Sequence, residues 1–445
     1  NEALAETLTV NGLATVENRY SFETRMRKMA AVYDDLLHRT SVPSLLGGEG
    51  GRRPDEGESN SAQSAFPASP LTRPAGTLCL QGERGPVALL IPRTEARPVA
   101  IGQPTVELTS APSAWAPYLE AKGHAGFYQC AEWLHVLQSG LQHETLCLQA
   151  RQNGKLTGVL PLAFVKSRLF GRFLVSLPYL NSSGIVADSA EAEAALVDRA
   201  IEFADELDVR YLELRHERPV EHEKLTLAVT DKVHMRLQLP GSSEELWDSL
   251  KSKLRSQIRK PLKNESLSVQ WGQQELLGEF YSIFCRNMRD LGTPPFSRKL
   301  FAAILDQFPR DAELCCVRLD GEAIAAGLLV HGPGVTEVPS ASSLRRFNST
   351  SANMLLYWSL LSRAIERGQS VFDFGRSSKD SGTYRFKAQW GATESPAVWQ
   401  HYVREGTATD MRPNSGKFDL MIRTWQKLPV WLTKTIGPSI VRGIP

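Results

Sequence analysis

One short run in the C-terminal part of the chain concentrates side chains that can do acid–base and electrostatic chemistry. Residues 372–392 read FDFGRSSKDSGTYRFKAQWGA and bring Asp373, Arg376 and Lys387 together with glycines and aromatic residues. Nucleophilic attack on an ester or a thioester needs a proton acceptor and a group that stabilises the oxyanion. We predict that these three residues supply those functions.

The neighbouring residues indicate which elements position this run. They predict a strand over 370–374, a loop opened by Gly375, a short helix over 384–390 and a glycine turn into a further strand. The polar side chains then follow the carboxyl end of a strand, which is where α/β folds usually place their chemistry.

The run resembles the FemAB family of acyl and aminoacyl transferases, in particular the branch associated with exopolysaccharide and PEP-CTERM gene clusters. The matching motifs are FDFGRS at 372–377, GTYRFK at 382–387 and QWGA at 389–392. Further matches are SLKSKLRSQIRKPLK at 249–263, NMRDLGTP at 287–294 and the PSAS…ANMLLYW pattern across 339–358. The resemblance spans roughly residues 105–404 and implies an α/β fold with mixed sheets, made of two tandem GNAT-like acyltransferase domains.

The resemblance also implies roles for individual residues. The family lysine that matches Lys387 lies at the donor channel. We therefore expect Lys387 to stabilise the anionic tetrahedral intermediate or to bind the 3′-terminal phosphate of the donor. Asp373 is either a general base or the ion-pair partner of Arg376.

The same motifs contribute further candidates for substrate binding. These are Asn287, Arg289, Asp290, Ser340, Asn353, Tyr357, Ser377, Tyr384 and Trp390. Asp290 has a second interpretation, because it ends a predicted helix just before the turn at 292–294 and can act as a helix stop.

A basic run at 251–263 contains six cations and no acid. Positions 251, 255 and 259 share one helical face, while leucine and isoleucine share another. Arg255, Arg259 and Lys260 are therefore candidates for a surface that binds phosphates of CoA, of the tRNA acceptor stem or of a polyprenyl-diphosphate sugar. The alternative is a solvated helix face.

The sequence leaves the acyl donor open. A helix over 351–367, capped by Ser351 or Asn353, would present its N-terminus to a donor pyrophosphate, as in GNAT proteins. The preceding loop reads LRRFNSTSAN and lacks the glycines of the usual GNAT pyrophosphate loop. Acyl-CoA and aminoacyl-tRNA are both retained as donor co-substrates, and no tightly bound cofactor is expected.

Composition limits the other function classes. Lys and Arg number 51 and Asp and Glu number 49 among the 445 residues, so no global field attracts nucleic acid. The six cysteines form no CxxC pair and are predicted to be reduced thiols of a cytosolic protein. The HERPVEH motif at 216–222 has the wrong spacing for a zinc helix, and we expect no metal. No apolar run reaches the ~18 residues that span a bilayer.

Five regions are predicted along the chain. They are a segment at 1–40 that resembles the C-terminal tail of a GT-B glycosyltransferase, a mostly disordered linker at 41–103, an N-terminal GNAT-like domain at 104–240, a C-terminal GNAT-like domain with the active-site motif at 241–405, and a basic amphipathic tail at 406–445. No glycosyltransferase activity follows from the first segment, because the sugar-nucleotide-binding body is absent.

Periodicity predicts the main elements of the two domains. The helices are expected at 115–137, 190–207, 243–263, 274–291 and 351–367. Strands are expected at 209–215 and 335–341, in a hairpin that turns at 153–154, and in a second hairpin that turns at 320–321. The two similar halves suggest an old duplication.

The tail at 416–441 combines an apolar face with four basic residues and two tryptophans, and a fifth basic residue, Arg442, follows it directly. Trp425 and Trp431 beside lysines suit a membrane interface. The alternative is that the tail packs on the transferase body. We predict a cytoplasmic protein, with peripheral contact to the inner membrane if the first interpretation holds.

These observations predict a FemAB-type transferase that moves an acyl or aminoacyl group onto an amine or hydroxyl of a cell-envelope or exopolysaccharide precursor. The acceptor is expected to be a lipid-linked or polymeric saccharide. Two alternatives stay open. One is an acetyl-CoA-dependent polysaccharide N- or O-acetyltransferase, and the other is a non-catalytic scaffold of a polysaccharide-export complex.

Overall fold

The computed structural model describes residues 103–167, 170–404 and 422–444. The predicted glycosyltransferase-like segment at 1–40, nearly all of the predicted linker at 41–103 and the tail residues 405–421 lie outside this part of the chain.

Two mixed β-sheets form the frame of the molecule. The first sheet contains β1 (Thr105–Leu108), β2 (Glu144–Gln152), β3 (Lys155–Ser167), β4 (Gly171–Val175), β5 (Val186–Ala187), β6 (Tyr211–His216), β7 (Leu227–Val229) and β15 (Val398–Val403). The second sheet contains β8 (Lys232–Gln238), β9 (Leu267–Gly272), β10 (Ala312–Leu319), β11 (Glu322–His331), β12 (Val335–Ser343), β13 (Val371–Ser378) and β14 (Thr393–Pro396).

Helices connect these strands in both halves. Between β1 and β2 lie α1 (Ala116–Glu120), α2 (His124–Phe127) and α3 (Ala131–Leu141), and α4 (Ala190–Glu206) leads from β5 to β6. The second half contains α5 (Ser243–Ser249), α6 (Ser252–Leu262), α7 (Leu277–Leu291), α8 (Arg298–Gln307), α9 (Ala352–Glu366) and α10 (Gly382–Ala388), and α11 (Val430–Val441) follows in the tail.

The strand orders show that the two sheets share one topology. The first runs β1-β2-β3-β4-β6-β15-β7 and the second runs β9-β10-β11-β12-β13-β8-β14. In each path the pair at the fourth and fifth positions is parallel and the remaining pairs are antiparallel. A helix crosses over between the two parallel strands, α4 in one half and α9 in the other, as parallel pairing requires. We call the first sheet with α1–α4 the first lobe and the second sheet with α5–α10 the second lobe.

Each sheet takes one strand from across the boundary predicted between residues 240 and 241. Strand β8 precedes that point in the chain but lies in the second sheet, between β13 and β14. Strand β15 follows it but lies in the first sheet, between β6 and β7. The domain boundary at 240–241 stays a prediction, and each sheet contains one strand from the other side of it.

The predicted hairpins and several predicted helices are present in the structure. The turns at Asn153–Gly154 and Asp320–Gly321 both have positive φ at the two central residues, which suits the right-handed twist of a hairpin. The helices predicted at 190–207, 274–291 and 351–367 correspond to α4, α7 and α9.

Two predicted helices are interrupted. The helix expected at 115–137 is divided among a 3-10 turn at Pro112–Trp115 and the separate helices α1, α2 and α3. The helix expected at 243–263 ends at Ser249, because Leu250 and Lys251 both adopt extended backbone angles before α6 begins. Apolar periodicity alone did not reveal these breaks.

One hydrophobic core joins the lobes. It contains Trp133 and Leu137 of α3 together with Phe280, Phe284 and Phe301 of α7 and α8. The helices α3 and α8 approach so closely that a Cβ added at Gly140 would lie 2.8 Å from the Leu300 Cα. The second core lies under α5, α6 and α9 on the other face of the second sheet.

The described part of the tail packs on the protein. Trp425 is 3% exposed, and the Tyr179 hydroxyl donates to the carbonyl of Val441 at 3.0 Å. An Arg289 guanidinium N–H donates to the carbonyl of Leu428 at 3.2 Å. Trp431 is 60% exposed, so of the two tail tryptophans only this one is presented to solvent. No helix among the described residues is long and apolar enough to cross a membrane.

Candidate active site

The active-site region begins where the parallel strands β12 and β13 stop pairing. Their register covers Val335 with Val371, Thr336 with Phe372 and Glu337 with Asp373. Beyond that point β12 pairs only with β11 and β13 only with β8, although both strands continue. A wedge therefore opens between two strands whose facing edges no longer bond to each other.

A glycine bulge shapes the β13 side of this wedge. Gly375 has φ +74°, and the register of β13 with β8 shifts between Asp373 and Arg376. The sequence predicted a loop after Phe374, and that prediction is wrong because β13 runs on to Ser378. The bulge turns the residues after Gly375 without ending the strand.

A cavity of about 530 Å³ occupies the wedge. Its walls include Ser340 of β12, the residues from Phe374 to Ser378 of β13, and Lys387 of α10. The first lobe contributes α3 and the segment after β4, and aromatic residues of α7 and α8 close the apolar side. The size and the mixed lining suit a small-molecule site.

Glu337 is the only acid among the described residues that line the cavity. It receives hydrogen bonds from the Tyr128 hydroxyl and, at 2.7 Å, from the Asn181 amide, both of which come from the first lobe. Burial, followed by the nearby charge of Asp373, raises the pKa of Glu337 to about 7. A carboxylate with this pKa is suited to accept a proton near neutral pH.

Asp373 lies behind the cavity wall and is 2% exposed. It accepts from the backbone N–H of Gly375 at 2.7 Å and from the Arg236 Nε at 2.8 Å. Arg236 also binds Glu217, at 2.5 and 2.7 Å. The predicted pairing of Asp373 with Arg376 is therefore replaced by pairing with Arg236, and Asp373 fixes the bulge.

Lys387 lies in the cavity wall and is almost completely buried. Its Nζ donates to the carbonyls of Gly375 and Arg376, at 2.9 and 3.2 Å, so the lysine also ties α10 to the bulge. Burial lowers the pKa of Lys387 to about 8, and the charges of Asp373 and Glu337 oppose that shift. The ammonium is thus a cation in the cavity that no carboxylate binds directly among the described residues.

Arg376 stacks on an aromatic residue of the first sheet. Its guanidinium carbon lies 3.2 Å from the ring centroid of Trp399, and Arg215 lies 3.9 Å from the same centroid. Burial, followed by the charge of Arg215, lowers the pKa of Arg376 to about 9. Lys232 of β8 lines the cavity as well.

Three of the predicted substrate-binding residues line the cavity. They are Ser340, Tyr357 and Ser377. The Ser377 Oγ is buried and has no hydrogen-bond partner within the part of the chain that the structure describes.

Two predicted contacts from the QWGA and GTYRFK motifs lie elsewhere. Trp390 is 1% exposed and packs in the second core beside Tyr357 and Phe386. The Tyr384 hydroxyl donates to Glu394 at 2.7 Å. Neither residue lines the cavity, and the observed contacts are structural ones.

The residues of the NMRDLGTP motif support the wall and the tail. Asn287 donates to the Ser342 hydroxyl of β12 at 3.2 Å. Arg289 binds the adjacent Asp290 at 2.7 Å, and the Asp290 carbonyl accepts from Gln426 at 3.0 Å. Arg289 and Asp290 therefore hold the tail against α7 and do not reach the cavity.

The basic helix α6 also lies outside the cavity wall. Its Leu254 and Ile258 are buried, while Arg259 and Lys260 are exposed. Lys260 donates to the carbonyl of Ser349, in the 3-10 helix Arg345–Thr350 before α9, at 2.8 Å. Arg255 lies 3.7 Å from the carboxylate of Asp248. Lys260 thus lies beside the start of α9, whereas Arg255 contacts α5, and phosphate binding by these cations stays a prediction.

The start of α9 differs from the predicted cap. The N-cap residue Ser351 has φ +59°, and its side chain makes no capping hydrogen bond. Instead the Thr350 hydroxyl accepts from the backbone N–H of Ala352 at 3.2 Å. Asn353 follows inside the first turn and does not line the cavity.

The sequence did not identify Glu337, Tyr128, Asn181 or Lys232 as site residues. A glutamate in the otherwise uncharged strand GVTEVPSAS was the one available signal, because a charged residue in a buried strand needs a partner or a function. Tyr128 and Asn181 lie in the half of the chain where the family resemblance is weak.

Comparison with known proteins identifies the fold. Residues 248–388 match the family model described as an acetyltransferase (GNAT) domain. These residues form a GNAT-type domain. The crystal structure of FemX superposes with a TM-score of 0.53 at 17% identity and covers 71% of this chain and 100% of that chain. The fold class of two tandem GNAT-like α/β domains is thereby confirmed.

Two further solved structures superpose with lower TM-scores. A tandem GNAT protein from the clavulanic acid biosynthesis pathway has a TM-score of 0.46 at 11% identity, covering 68% of this chain and 100% of that chain. N-myristoyltransferase from Saccharomyces cerevisiae has a TM-score of 0.44 at 10% identity, covering 71% and 82%. No curated protein matches this sequence.

The described residues contain no group of three or more His, Cys, Asp or Glu side chains placed to hold a metal ion. Cys130, Cys147, Cys285, Cys315 and Cys316 are free thiols. Burial raises the pKa of Cys285 to about 11 and that of Cys316 to about 12, so neither is an activated nucleophile.

Proposed function

We propose that this protein transfers an acyl or aminoacyl group from an activated ester or thioester to an amine or hydroxyl, with Glu337 as the general base. The observation that carries the proposal is the position of Glu337. It is a buried carboxylate with a raised pKa at the point where β12 and β13 separate, and it lines the cavity. The GNAT-type domain at 248–388 supports the reaction class.

The proposed reaction is a direct transfer. The acceptor nitrogen or oxygen attacks the donor carbonyl carbon, and Glu337 takes the proton from the attacking atom. The new bond to the acyl carbon forms first and gives a tetrahedral intermediate, the bond to the donor sulfur or oxygen then breaks, and the leaving group departs as a thiol or alcohol after it takes up a proton from water. The Lys387 ammonium stabilises the negative charge that develops on the carbonyl oxygen and on the leaving group. The lower dielectric constant inside the protein strengthens the attraction between Lys387 and this negative charge.

The first lobe positions the base in this proposal. Tyr128 and Asn181 donate to the two oxygens of Glu337 and hold its carboxylate in one orientation. The Arg236 bridge between Asp373 and Glu217 fixes the adjacent strand. Asp373 is thus a positioning residue, because it touches the bulge and Arg236 and not the cavity.

The proposal also covers the type of enzyme, its acceptor and its donor. The FemAB motifs favour a FemAB-type enzyme that acts on a cell-envelope or exopolysaccharide precursor, with aminoacyl-tRNA or acyl-CoA as donor. The exposed Trp431 is the side chain on which peripheral membrane contact would rest. A non-catalytic scaffold does not explain a base and a cation in one cavity.

A survey of donor consumption tests this function. Charged tRNAs and acyl-CoAs are offered side by side to the wild-type protein and to Glu337→Gln, and mass spectrometry follows deacylation with a mixture of amine and sugar acceptors. We expect one donor class to be consumed by the wild-type protein and to be spared by the variant. Equal consumption by both proteins would remove Glu337 from the chemistry, and no consumption of any donor by either would favour the scaffold.

A further inference from the structure

A second pocket lies in the first lobe, beside Ser182. Its volume is about 350 Å³, and all of its lining residues fall between positions 122 and 218 in the sequence. Ala125 and residues 185–187 give it an apolar side, which suits a short acyl chain. None of the candidate residues predicted from the sequence lines this pocket, which we call the Ser182 pocket.

The Ser182 hydroxyl contacts a histidine of the second sheet. Its Oγ lies 3.2 Å from Nε2 of His234, which belongs to β8. The same hydroxyl lies 2.8 Å from a carboxylate oxygen of Glu217. A serine hydroxyl becomes a nucleophile when a neighbouring base takes its proton. The chemistry of Ser182 therefore depends on which neighbour can accept that proton.

Glu217 is a poor base. Arg236 donates to its two oxygens, at 2.5 and 2.7 Å. Burial opposes ionisation, but Arg236 outweighs it and lowers the pKa of Glu217 to about 2. A carboxylate with this pKa does not take a proton from a hydroxyl at neutral pH. Glu217 is therefore a hydrogen-bond partner of Ser182 and not its base.

His234 has the protonation state that a base requires. It is 1% exposed, and burial lowers its pKa, so the imidazole is neutral at neutral pH. When Nε2 accepts from Ser182, the ring proton lies on Nδ1. Nδ1 has no hydrogen-bond partner in the described chain and lies 3.7 Å from an Asp373 carboxylate oxygen. Such contacts are often long without substrate and shorten when substrate binds.

Arg236 fixes the acid that faces the histidine. Its Nε donates to Asp373 at 2.8 Å, while its terminal nitrogens bind Glu217. The Asp373 carboxylate is thereby held beside the His234 ring. A third group that orients the base is the element that completes a nucleophile and base pair.

We propose that Ser182 and His234, positioned by Asp373, form a serine-hydrolase site in which Ser182 attacks short-chain acyl esters bound in the Ser182 pocket. A nucleophile, a base and a carboxylate in this order recur on unrelated folds and are recognised by their geometry. This activity differs from the transfer proposed for Glu337, because it uses another pocket, another base and a covalent intermediate. Neither activity depends on the other.

The reaction has two steps. The Ser182 Oγ attacks the ester carbonyl carbon and gives its proton to His234 Nε2. The tetrahedral intermediate then expels the alcohol oxygen, which takes the proton from His234 and leaves the acyl group on Ser182. Water attacks this acyl group and gives a proton to His234, which returns it to Ser182 as the carboxylic acid leaves. The sum is an ester and water giving an acid and an alcohol.

Covalent labelling of the full chain tests the nucleophile directly. Diisopropyl fluorophosphate transfers its phosphoryl group to an activated serine and releases fluoride. We expect the label on Ser182 of the wild-type protein, located by peptide mass spectrometry, and labelling slowed about tenfold or more in His234→Gln. Ser139→Ala is the control and should be labelled like the wild type, because the exposed Ser139 hydroxyl binds the His135 carbonyl at 2.6 Å. No label, or a label on another residue, would overturn the proposal.

Ester hydrolysis provides the second measurement. The substrates are p-nitrophenyl acetate and p-nitrophenyl butyrate, offered to the wild-type protein, Ser182→Ala, Ser139→Ala and Glu337→Gln, and thermal melting confirms that each variant is folded. We expect Ser182→Ala to reduce hydrolysis about a hundredfold or more and Ser139→Ala to leave it unchanged. Full hydrolysis in folded Ser182→Ala would overturn the proposal. Hydrolysis lost in Glu337→Gln but retained in Ser182→Ala would place the reaction in the cavity between β12 and β13 and overturn it as well.

Discussion

The two lobes share one topology, but the wedge between their parallel strands is filled by the chain in the first lobe and forms a cavity in the second. In the first lobe the register of β4 and β6 ends at Val175 and Glu213. The segment after β4 fills the gap between these two strands. The Ser176 backbone N–H donates to the Glu213 carbonyl, and the Ser176 hydroxyl accepts from the Arg215 N–H. The Ser183 backbone N–H donates to the Arg215 carbonyl at 3.2 Å. In the second lobe the gap after Glu337 and Asp373 is the cavity.

The carboxylates at the two wedges differ accordingly. Burial alone would raise the pKa of Glu213, but Arg215 and His401 outweigh it and lower that pKa to about 2. At Glu337, burial and Asp373 act together and the pKa rises to about 7. Glu213 lies on β6, whose counterpart in the second lobe is β13 with Asp373, and like Asp373 it is held by an arginine. Glu337 has no carboxylate counterpart in the first lobe, where Val175 takes its place, and it is the carboxylate to which we assign proton transfer.

The largest expected effect separates these two carboxylates. Glu337→Gln should lower turnover by about 10³-fold, within the usual range for loss of a general base. Its melting temperature should stay the same or rise at pH 8, because the fold disfavours the charged form of Glu337.

Glu213→Gln provides the matched variant in the closed wedge. Removal of this charge leaves Arg215 buried without its partner and should cost about 3 kcal/mol of stability. Turnover per folded molecule should change little. Chemical unfolding measures the stability of both variants, and steady-state kinetics measures their turnover. A comparable loss of turnover in the two variants would contradict a catalytic role for Glu337 and a structural role for Glu213.

The second effect concerns the cation of the open wedge. Lys387→Met keeps most of the side-chain volume and removes the charge, and it should lower turnover by about 10²-fold, or about 3 kcal/mol of transition-state stabilisation. Some stability should also be lost, because the carbonyls of Gly375 and Arg376 lose their donor. Steady-state kinetics beside a melting curve measures both, and full turnover in a folded variant would show that Lys387 is only structural.

A smaller effect tests the contribution of the first lobe. The base must be ionised, so kcat/KM should fall as the pH drops through about 7, where Glu337 gains its proton. Tyr128 donates to that carboxylate and lowers its pKa, so Tyr128→Phe should move the acidic limb to higher pH. Tyr118→Phe removes a hydroxyl that binds Asp188 at 3.0 Å and should leave the limb unchanged. A limb that stays in place in both variants would refute the proposed role of Tyr128.

The smallest effect concerns the basic helix. Charge reversal at Arg255, Arg259 and Lys260 should weaken binding of a phosphate-bearing donor only moderately and should flatten its dependence on salt. None of the three lines the cavity, and of the three Lys260 contacts the segment before α9. Binding isotherms at low and high salt, identical for wild-type and variant, would identify this face as simply solvated.

The sequence predicted elements that depend on local patterns. The two hairpins, the helices α4, α7 and α9, and the crowding of polar residues around β13 follow from turn residues, apolar periodicity and motif spacing. Glu337 became a candidate only in the structure, because its raised pKa depends on burial and on Asp373, which is adjacent in space and distant in sequence. The pairing of Asp373 with Arg236 depends on β8 joining the second sheet, and no periodicity encodes that choice.

The exchange of β8 and β15 between the sheets has a consequence for how the protein is made. Strand β7 pairs only with β15 in the described chain, and β6 pairs with β4 on one edge and with β15 on the other. The first sheet therefore stays incomplete until residues 398–403 have been synthesised, although all its other strands lie before residue 230 in the sequence. The first lobe cannot be completed while the second is still being translated, so both should reach their final form late and together. A nascent chain released after residue 240 should present open strand edges and recruit chaperones or aggregate.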